Sequence, residues 1–243
     1  MNILIFGANS DLGNQIAQIH ASQGDNLFLT ARTEVQLDRI KSDLEIRHKA
    51  EIQTFELDAI DFEQHPQLLD RIEISEMDRV YCVFGYLGEQ EKAEKDFGES
   101  RQIIEVNYTG AVSLLNPIAE VFAQKGAGSI IGISSVAGER GRMSNYMYGS
   151  AKAAFTAYLD GMRNRLAHKG VHVMTVKPGF MRTKMTEGLP LAAPLTANPD
   201  KAAKIIVKAA SKKKNTIYVL PIWRWVMLII RNVPEFIFKK LKL

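Results

Sequence analysis

The chain has 243 residues, 46% of them apolar and 24% charged, with a single cysteine. That length and mixture describe one ordinary α/β domain, and a lone cysteine excludes an intramolecular disulfide and fits a reducing cytosol. The net charge of +4 is unevenly spread: residues 212–243 carry +7 and the rest −3, so the basic character belongs to the tail and no nucleic-acid partner is expected.

In chain order, the first apolar run, Ile3-Leu4-Ile5-Phe6, predicts a strand over 2–6 and leaves no room for a signal peptide ahead of it. A helix over 11–23, a strand over 27–31, a helix over 34–48, a strand over 51–55 and a helix over 62–73 follow. Next come a strand over 79–84, a helix over 100–125, a strand over 129–134 and a helix over 147–169. A strand over 171–176, a helix over 199–211 and a strand over 216–219 complete the series. The alternation predicts an α/β, three-layer, doubly wound fold around a mostly parallel seven-stranded sheet. Residues 1–220 form this body, and 221–243 form a basic apolar tail that is not a separate domain. Cys82, inside Val80-Tyr81-Cys82-Val83-Phe84, reads as a buried structural thiol. Residues 86–98 are mostly charged and read as solvent-facing. Residues 182–199, with Pro190, Pro194 and Pro199, read as an irregular excursion over the sheet's carboxyl edge, where long segments often cover ligands. The five histidines are scattered without metal-ligand spacing, so no metal is expected.

The first strand–helix junction reads Gly7-Ala8-Asn9-Ser10-Asp11-Leu12-Gly13. The first glycine permits a tight turn and the last a close helix–strand contact, while the helix start offers free N–H groups and a positive dipole end to a pyrophosphate. Asp11 stands where a middle glycine is expected, and it reads as a helix cap rather than a phosphate contact. The second strand ends Thr30-Ala31-Arg32. Ala31 supplies no carboxylate for a ribose 2′-hydroxyl and Arg32 can pair with a 2′-phosphate, which favours NADP(H) over NAD(H); the alternative is a solvated surface arginine. Asp58, after the third strand, reads as a partner of the adenine amino group or as a helix cap.

Further along stand Ser134, Ser135, Tyr148 and Lys152. A Tyr and a Lys four residues apart share a helix face, so the ammonium can sit near the phenol, favour the phenolate and lower its pKa from about 10. Tyr148 is thereby a candidate general acid/base.

With Gly7…Gly13, Asn107, Ser135, Tyr148-x-x-x-Lys152 and Pro178-Gly179-Phe180-Met181-Arg182-Thr183 in this order, the chain resembles the short-chain dehydrogenase/reductase family over nearly residues 1–220, which implies a Rossmann fold. The resemblance implies that Tyr148 gives a proton to a carbonyl oxygen during hydride delivery and that Ser135, thirteen residues earlier, polarises that carbonyl. It implies that Lys152 holds the nicotinamide ribose and that Asn107 holds a water linking Lys152 to solvent. Gly179, Phe180 and Thr183, behind Pro178, fall where the family holds the nicotinamide carboxamide. Ser134 is left structural. The expected cofactor-binding set is Gly7, Asn9, Ser10, Leu12, Gly13, Arg32, Asp58, Gly85, Tyr148, Lys152, Pro178, Gly179, Phe180 and Thr183. Cys82-Val83-Phe84-Gly85 replaces the family's usual Asn-Asn-Ala-Gly after strand four. The family also implies a homodimer or homotetramer.

In the tail, Arg224, Arg231 and Pro234 interrupt the apolar run, so a membrane span is not expected. Trp223 and Trp225 beside Arg and Lys suit an amphipathic segment lying on the cytoplasmic membrane face; packing on the body or on a second subunit is the alternative. The interrupted glycine loop, Phe84-Gly85-Tyr86-Leu87-Gly88 and this tail also resemble bacterial reductases of polyprenyl-phosphoryl keto-sugars, which implies a lipid-linked carbonyl substrate. A soluble 3-oxoacyl or small-ketone reductase is the second reading, and a non-catalytic NADP-binding scaffold the third.

Overall fold

The computed structural model describes residues 1–241; Lys242 and Leu243, the end of the expected tail, lie outside the described residues. Its first half runs β1 (Asn2–Phe6), α1 (Asp11–Ser22), β2 (Asn26–Ala31), α2 (Val35–His48), β3 (Ile52–Glu56), α3 (His65–Ile72), β4 (Arg79–Cys82), α4 (Gln90–Ala93) and α5 (Phe97–Ile104). A π-helical turn (Glu105–Thr109) leads into α6 (Gly110–Lys125), β5 (Ser129–Ile133), α7 (Tyr146–Ala167), β6 (His172–Lys177) and the short strand β7 (Phe180–Met181). Then come the short strand β8 (Thr196–Ala197), α8 (Pro199–Ser211), β9 (Thr216–Tyr218), α9 (Ile222–Asn232) and α10 (Glu235–Phe238).

Seven strands form one sheet in the order β3-β2-β1-β4-β5-β6-β9, and every neighbouring pair is parallel. Strand side chains alternate between faces, and both faces are covered. Ile3 and Ile5 point into one core with Ile16 of α1, Leu37 of α2 and Ile206 of α8. Leu4 and Phe6 point into the other with Leu69 of α3, Leu114 of α6 and Phe155 of α7. This double burial is why the strands read as continuous apolar runs rather than as alternating ones. The strand order reverses between β1 and β4, which opens a crevice at the carboxyl ends of the strands.

Three expectations are corrected. The long helix expected over 100–125 is α5, a π turn and α6, because an extra residue is accommodated at Glu105–Thr109. Strand β4 stops at Cys82, two residues early. The charged stretch 86–98 is not simply solvent-facing: Tyr86–Gly88 is half-buried and Ala93 is buried. Beyond β9, α9 packs Trp223 and Met227 against Val136, Phe180 and Leu195 in a small third core. Among the described residues no helix is long and apolar enough to cross a membrane.

Near the amino ends of the strands, the buried His20 bonds Asp25 through Nδ1 at 2.7 Å and the Tyr81 hydroxyl through Nε2 at 3.0 Å. His172 bonds Ser129 at 2.9 Å and accepts its place at the sheet end by donating to the Lys214 carbonyl at 2.8 Å. Burial is the largest influence on both rings and holds their pKa values below the usual 6.5. An unfolded chain therefore binds more protons than the folded one just below pH 6.5. Stability is complete above that pH and declines as the pH falls towards the folded-state pKa values. The melting temperature is expected to drop between pH 7 and pH 5 in differential scanning fluorimetry, and a rise on acidification would contradict this assignment.

Candidate active site

The loop after β1 turns at Gly7, whose φ of +83° is left-handed. A Cβ on Gly13 would lie 2.4 Å from the Gly7 carbonyl oxygen, so only glycine lets α1 start this close to the strand. Ser10, rather than Asp11, caps the helix: its Oγ accepts from the Gly13 N–H at 3.0 Å and donates to the Gly7 carbonyl at 2.8 Å. Asp11 instead accepts from the Lys184 N–H at 2.7 Å, fastening the segment after β7 to the glycine loop. Among the described residues the Asp11 and Leu12 amides have no acceptor, so the helix start keeps the donors an anion needs. Asn9 reaches Gln36 at 2.9 Å.

At the end of β2, Ala31 is buried while Arg32 is exposed and makes no ion pair among the described residues. The nearby Glu56 carboxylate accepts from the Glu34 N–H at 3.2 Å. Asp58 is exposed; its Oδ1 accepts from the Ile60 N–H at 3.1 Å and closes a turn rather than capping a helix.

After β4, Gly85 stands between two expected site residues. A Cβ there would be 3.0 Å from Asn107 Oδ1 and 3.5 Å from Lys152 Nζ. Asn107 sits in the π turn, where its carboxamide accepts from the Tyr86 N–H at 3.2 Å and donates to the Ile103 carbonyl at 2.8 Å and to the Tyr86 carbonyl. In this arrangement Asn107 clamps the 84–88 loop. Glu99 holds the same loop from outside, accepting from the Tyr86 hydroxyl at 2.8 Å and the Glu89 N–H at 3.1 Å, with Lys92 at 3.2 Å. Sequence reasoning missed Glu99, because nothing local marks one carboxylate among several as the buried one.

The turn after β5 assembles the rest. Ser134, left structural, donates to the Lys152 carbonyl at 2.9 Å and pairs with Thr156 at 2.7 Å, fixing α7 against the strand end. The half-buried Ser135 accepts from the Ala137 N–H at 3.1 Å and neighbours Tyr148. Lys152 is buried, donates to the Ile133 carbonyl at 3.1 Å, and stands 5.7 Å from the centroid of the Tyr148 ring. Burial pushes the Tyr148 phenol up to about 12, with the Ser135 hydroxyl acting against it, and pushes Lys152 down to about 8. The expected lowering of the phenol by Lys152 is thus overturned, since burial disfavours the charged form of both groups. Burial likewise pushes the Cys82 thiol up to about 12, in keeping with an unreactive core residue.

The Pro178 carbonyl accepts from the Val136 N–H at 2.9 Å, which joins the Pro178–Thr183 segment to the Ser135 turn. Gly179 is a close-approach position: a Cβ there would lie 1.8 Å from Trp223 Nε1. Phe180 meets the Trp223 ring edge to face at 5.2 Å, and the indole N–H donates to the Leu195 carbonyl at 2.9 Å. Thr183 begins a helical turn closed by Thr186. Met185 lies over Gly85, its Cε 3.7 Å from where a Cβ would stand. An open cleft of about 620 Å³ lies beside this segment, between Asp11, Gln15, Thr183 and Pro199; the Ser135 and Tyr148 side chains do not line it.

Two more residues escaped the sequence. Glu139 accepts from Lys177 at 2.9 Å and the Tyr218 hydroxyl at 2.6 Å, binding the Ser135 turn to β6 and β9. Arg140 donates to the carbonyls of Ile230 at 2.5 Å and Val233 at 2.7 Å, pairs with Glu235 at 2.9 Å, and lies 3.7 Å over the Phe238 ring. Their partners lie at least 38 positions away in sequence, so no local pattern announces them.

An open parallel sheet of this order, with a glycine loop at its first crossover and a Ser-Tyr-Lys cluster at its carboxyl edge, defines a nucleotide-binding oxidoreductase fold. The short chain dehydrogenase family model matches residues 1–193, and the chain belongs to that family of oxidoreductases. An uncharacterized oxidoreductase of Mycobacterium tuberculosis is 32% identical over 241 residues, covering 98% of this chain and 96% of that one. Another from Streptomyces coelicolor is 31% identical over 243 residues, covering 99% and 95%. Among solved structures, a short-chain dehydrogenase from Sphingobium yanoikuyae in complex with NADPH aligns with a TM-score of 0.83 at 21% identity, covering 96% of both chains. A short chain dehydrogenase from Burkholderia cenocepacia in complex with NADP aligns with a TM-score of 0.84 at 19% identity, covering 98% of this chain and 96% of that one. These two share the fold.

Gly179→Ala is expected to cost about 1–3 kcal/mol, the usual range for forcing an extra methyl into a packed core. Urea unfolding followed by tryptophan fluorescence measures it; a variant as stable as the parent would show that Trp223 does not fill that space.

Proposed function

We propose that the protein is an NADPH-dependent reductase that converts a ketone to a secondary alcohol, with Tyr148 as the proton donor. The observation that carries this reading is the convergence of Ser135 and Lys152 on Tyr148 at the carboxyl edge of the sheet, with the Lys152 ammonium beside Gly85 after β4. A scaffold that only binds a nucleotide has no need of a half-buried phenol near a buried ammonium, since burying a charged group is costly.

The residues present fit the cofactor. Gly7 and Gly13 leave room at the helix start, the Asp11 and Leu12 amides keep their donors, and Lys152 and Gly85 face the same space. The reduced nicotinamide, when bound, supplies the hydride for the carbonyl carbon. Everything else falls to the chain. Ser135 and Tyr148 hydroxyls donate to the carbonyl oxygen and orient it. The raised pKa keeps Tyr148 a neutral phenol at physiological pH, which is the form that has a proton to give. As the alkoxide takes that proton, the phenolate left behind is stabilised by the Lys152 ammonium, and one proton from solvent restores the phenol. Asn107 and Glu99 keep the 84–88 loop in place behind the reacting groups. Arg32, exposed and without an ion pair among the described residues, supports the NADPH preference through pairing with a 2′-phosphate.

For the substrate, we assign a ketone on an apolar carrier, the lipid-linked keto-sugar being the specific candidate. Support comes from exposed apolar side chains on the two segments that flank the catalytic turn: Met143 before α7 and Tyr146 at its start, and Met185 and Leu189 after β7. A small-ketone reductase is the outcome if water-soluble ketones are turned over equally well in a substrate screen.

Tyr148→Phe is expected to bind NADPH as the parent does and to lose roughly 10²- to 10⁴-fold in turnover, followed as NADPH absorbance with a ketone panel. Undiminished turnover would remove Tyr148 from the mechanism. NADPH should raise the melting temperature more than NADH at equal concentration, and Arg32→Ala should erase that difference. The reverse order for the parent would overturn the 2′-phosphate assignment.

A further inference from the structure

The C-terminal helices have two apolar faces, and the body covers one of them. On α9 the stripe Trp223, Val226, Met227 and Ile230 packs on Val136, Phe180 and Leu195, with Trp223 only 3% exposed and Met227 fully buried. Nearly opposite, Ile222, Trp225, Leu228 and Ile229 face outward, Trp225 at 63% and Ile229 at 69% exposure. Positions 222, 225 and 229 follow the three-and-four spacing of a single helix face. Phe236, Ile237 and Leu241 extend the exposed apolar surface past α10. Helix α9 keeps its outward apolar face in water while Arg140 ties its last turn and α10 to the Ser135 turn.

The charges around this surface select its occupant. Arg224 and Arg231 flank the outward face of α9, and Lys239 and Lys240 follow α10; all four are exposed. The one acidic residue between 221 and 241 is Glu235, and it is engaged by Arg140. We propose that the outward face of α9 and α10 docks on an anionic lipid bilayer, with Trp225, Ile229 and Phe236 entering the interface and the four cations meeting headgroup charge. The amphipathic geometry suits a helix lying in the interface plane. A second copy of the chain fits less well, since a two-fold contact presses the same patch against itself and brings these cations together without acids to pair them. Docking in this orientation leaves one helix, about 10 Å across, between the lipid surface and Val136, the residue after Ser135. The proposal does not depend on the reduction chemistry.

The test uses the full chain with vesicles of phosphatidylcholine alone or mixed equally with phosphatidylglycerol, in co-sedimentation at low and at high salt. Binding is expected on the mixed vesicles at low salt, weaker by at least ~tenfold at high salt or without phosphatidylglycerol. The double variants Trp225→Glu/Ile229→Glu and Arg224→Glu/Arg231→Glu should each lose binding by a similar factor while keeping the parent's melting temperature and its turnover of a water-soluble ketone. If the variants prove unstable, brominated lipid decides: it should quench the parent's fluorescence through Trp225, the exposed one of two tryptophans, and Trp225→Phe should abolish that quenching. No binding by the parent, binding unaffected by both variants, or quenching that survives Trp225→Phe overturns the proposal. So does a parent that is oligomeric in sedimentation velocity, fails to bind vesicles and becomes monomeric in Trp225→Glu/Ile229→Glu, which would assign the face to a second copy.

Discussion

The turn that leaves β5 carries the contacts on which the rest of the site depends. Within seven residues, Ser134 fastens α7 through the Lys152 carbonyl, Ser135 presents its hydroxyl beside Tyr148, and Val136 binds the Pro178 carbonyl. Glu139 then joins β6 and β9, and Arg140 seizes the end of α9. Together these contacts link the turn to α7, the Pro178 segment, β6, β9 and α9. Relative placement of the Ser135 hydroxyl, the Tyr148 phenol and the Pro178–Thr183 segment is therefore set by one short piece of backbone, which is how reacting groups are held to the tolerance that chemistry demands.

Burial governs the electrostatics of that cluster. Tyr148 and Lys152 are both driven towards their neutral forms, the direction that low polarity imposes on any isolated ionisable group. In the proposed mechanism the neutral phenol is the proton donor, and the ammonium matters most once negative charge develops nearby. Polar clamps compensate for the unusual sequence after β4: Asn107 and Glu99 secure the Tyr86 region from two sides, and both belong to the helical segment that the π turn bends. A π turn in that position reorients one side chain without disturbing the helices on either side, a use found often at functional sites.

The C-terminal segment belongs structurally to the site as much as to the surface. Trp223 occupies the space a side chain at 179 would fill and holds the Leu195 carbonyl of the covering segment. Asp11 grips the start of that same segment at Lys184. The cover is thus pinned at one end to the glycine loop and at the other to α9.

The alternation of elements, the parallel seven-stranded sheet, its two helical layers and the placing of Tyr148 and Lys152 on one helix were legible in the sequence, because they follow from local periodicity and spacing. Local capping was misread by a single residue, since Ser10 and Asp11 are both good caps and only the direction of Lys184 separates them. The roles of Glu99, Glu139, Arg140 and Trp223 were not legible: each acts through partners brought close by the sheet topology rather than by spacing. The amino-acid sequence by itself determined the alternation of elements and the chemical groups on offer. Tertiary structure alone decided which charges are buried and which apolar face of α9 remains uncovered, because desolvation and packing depend on everything that surrounds a residue in space.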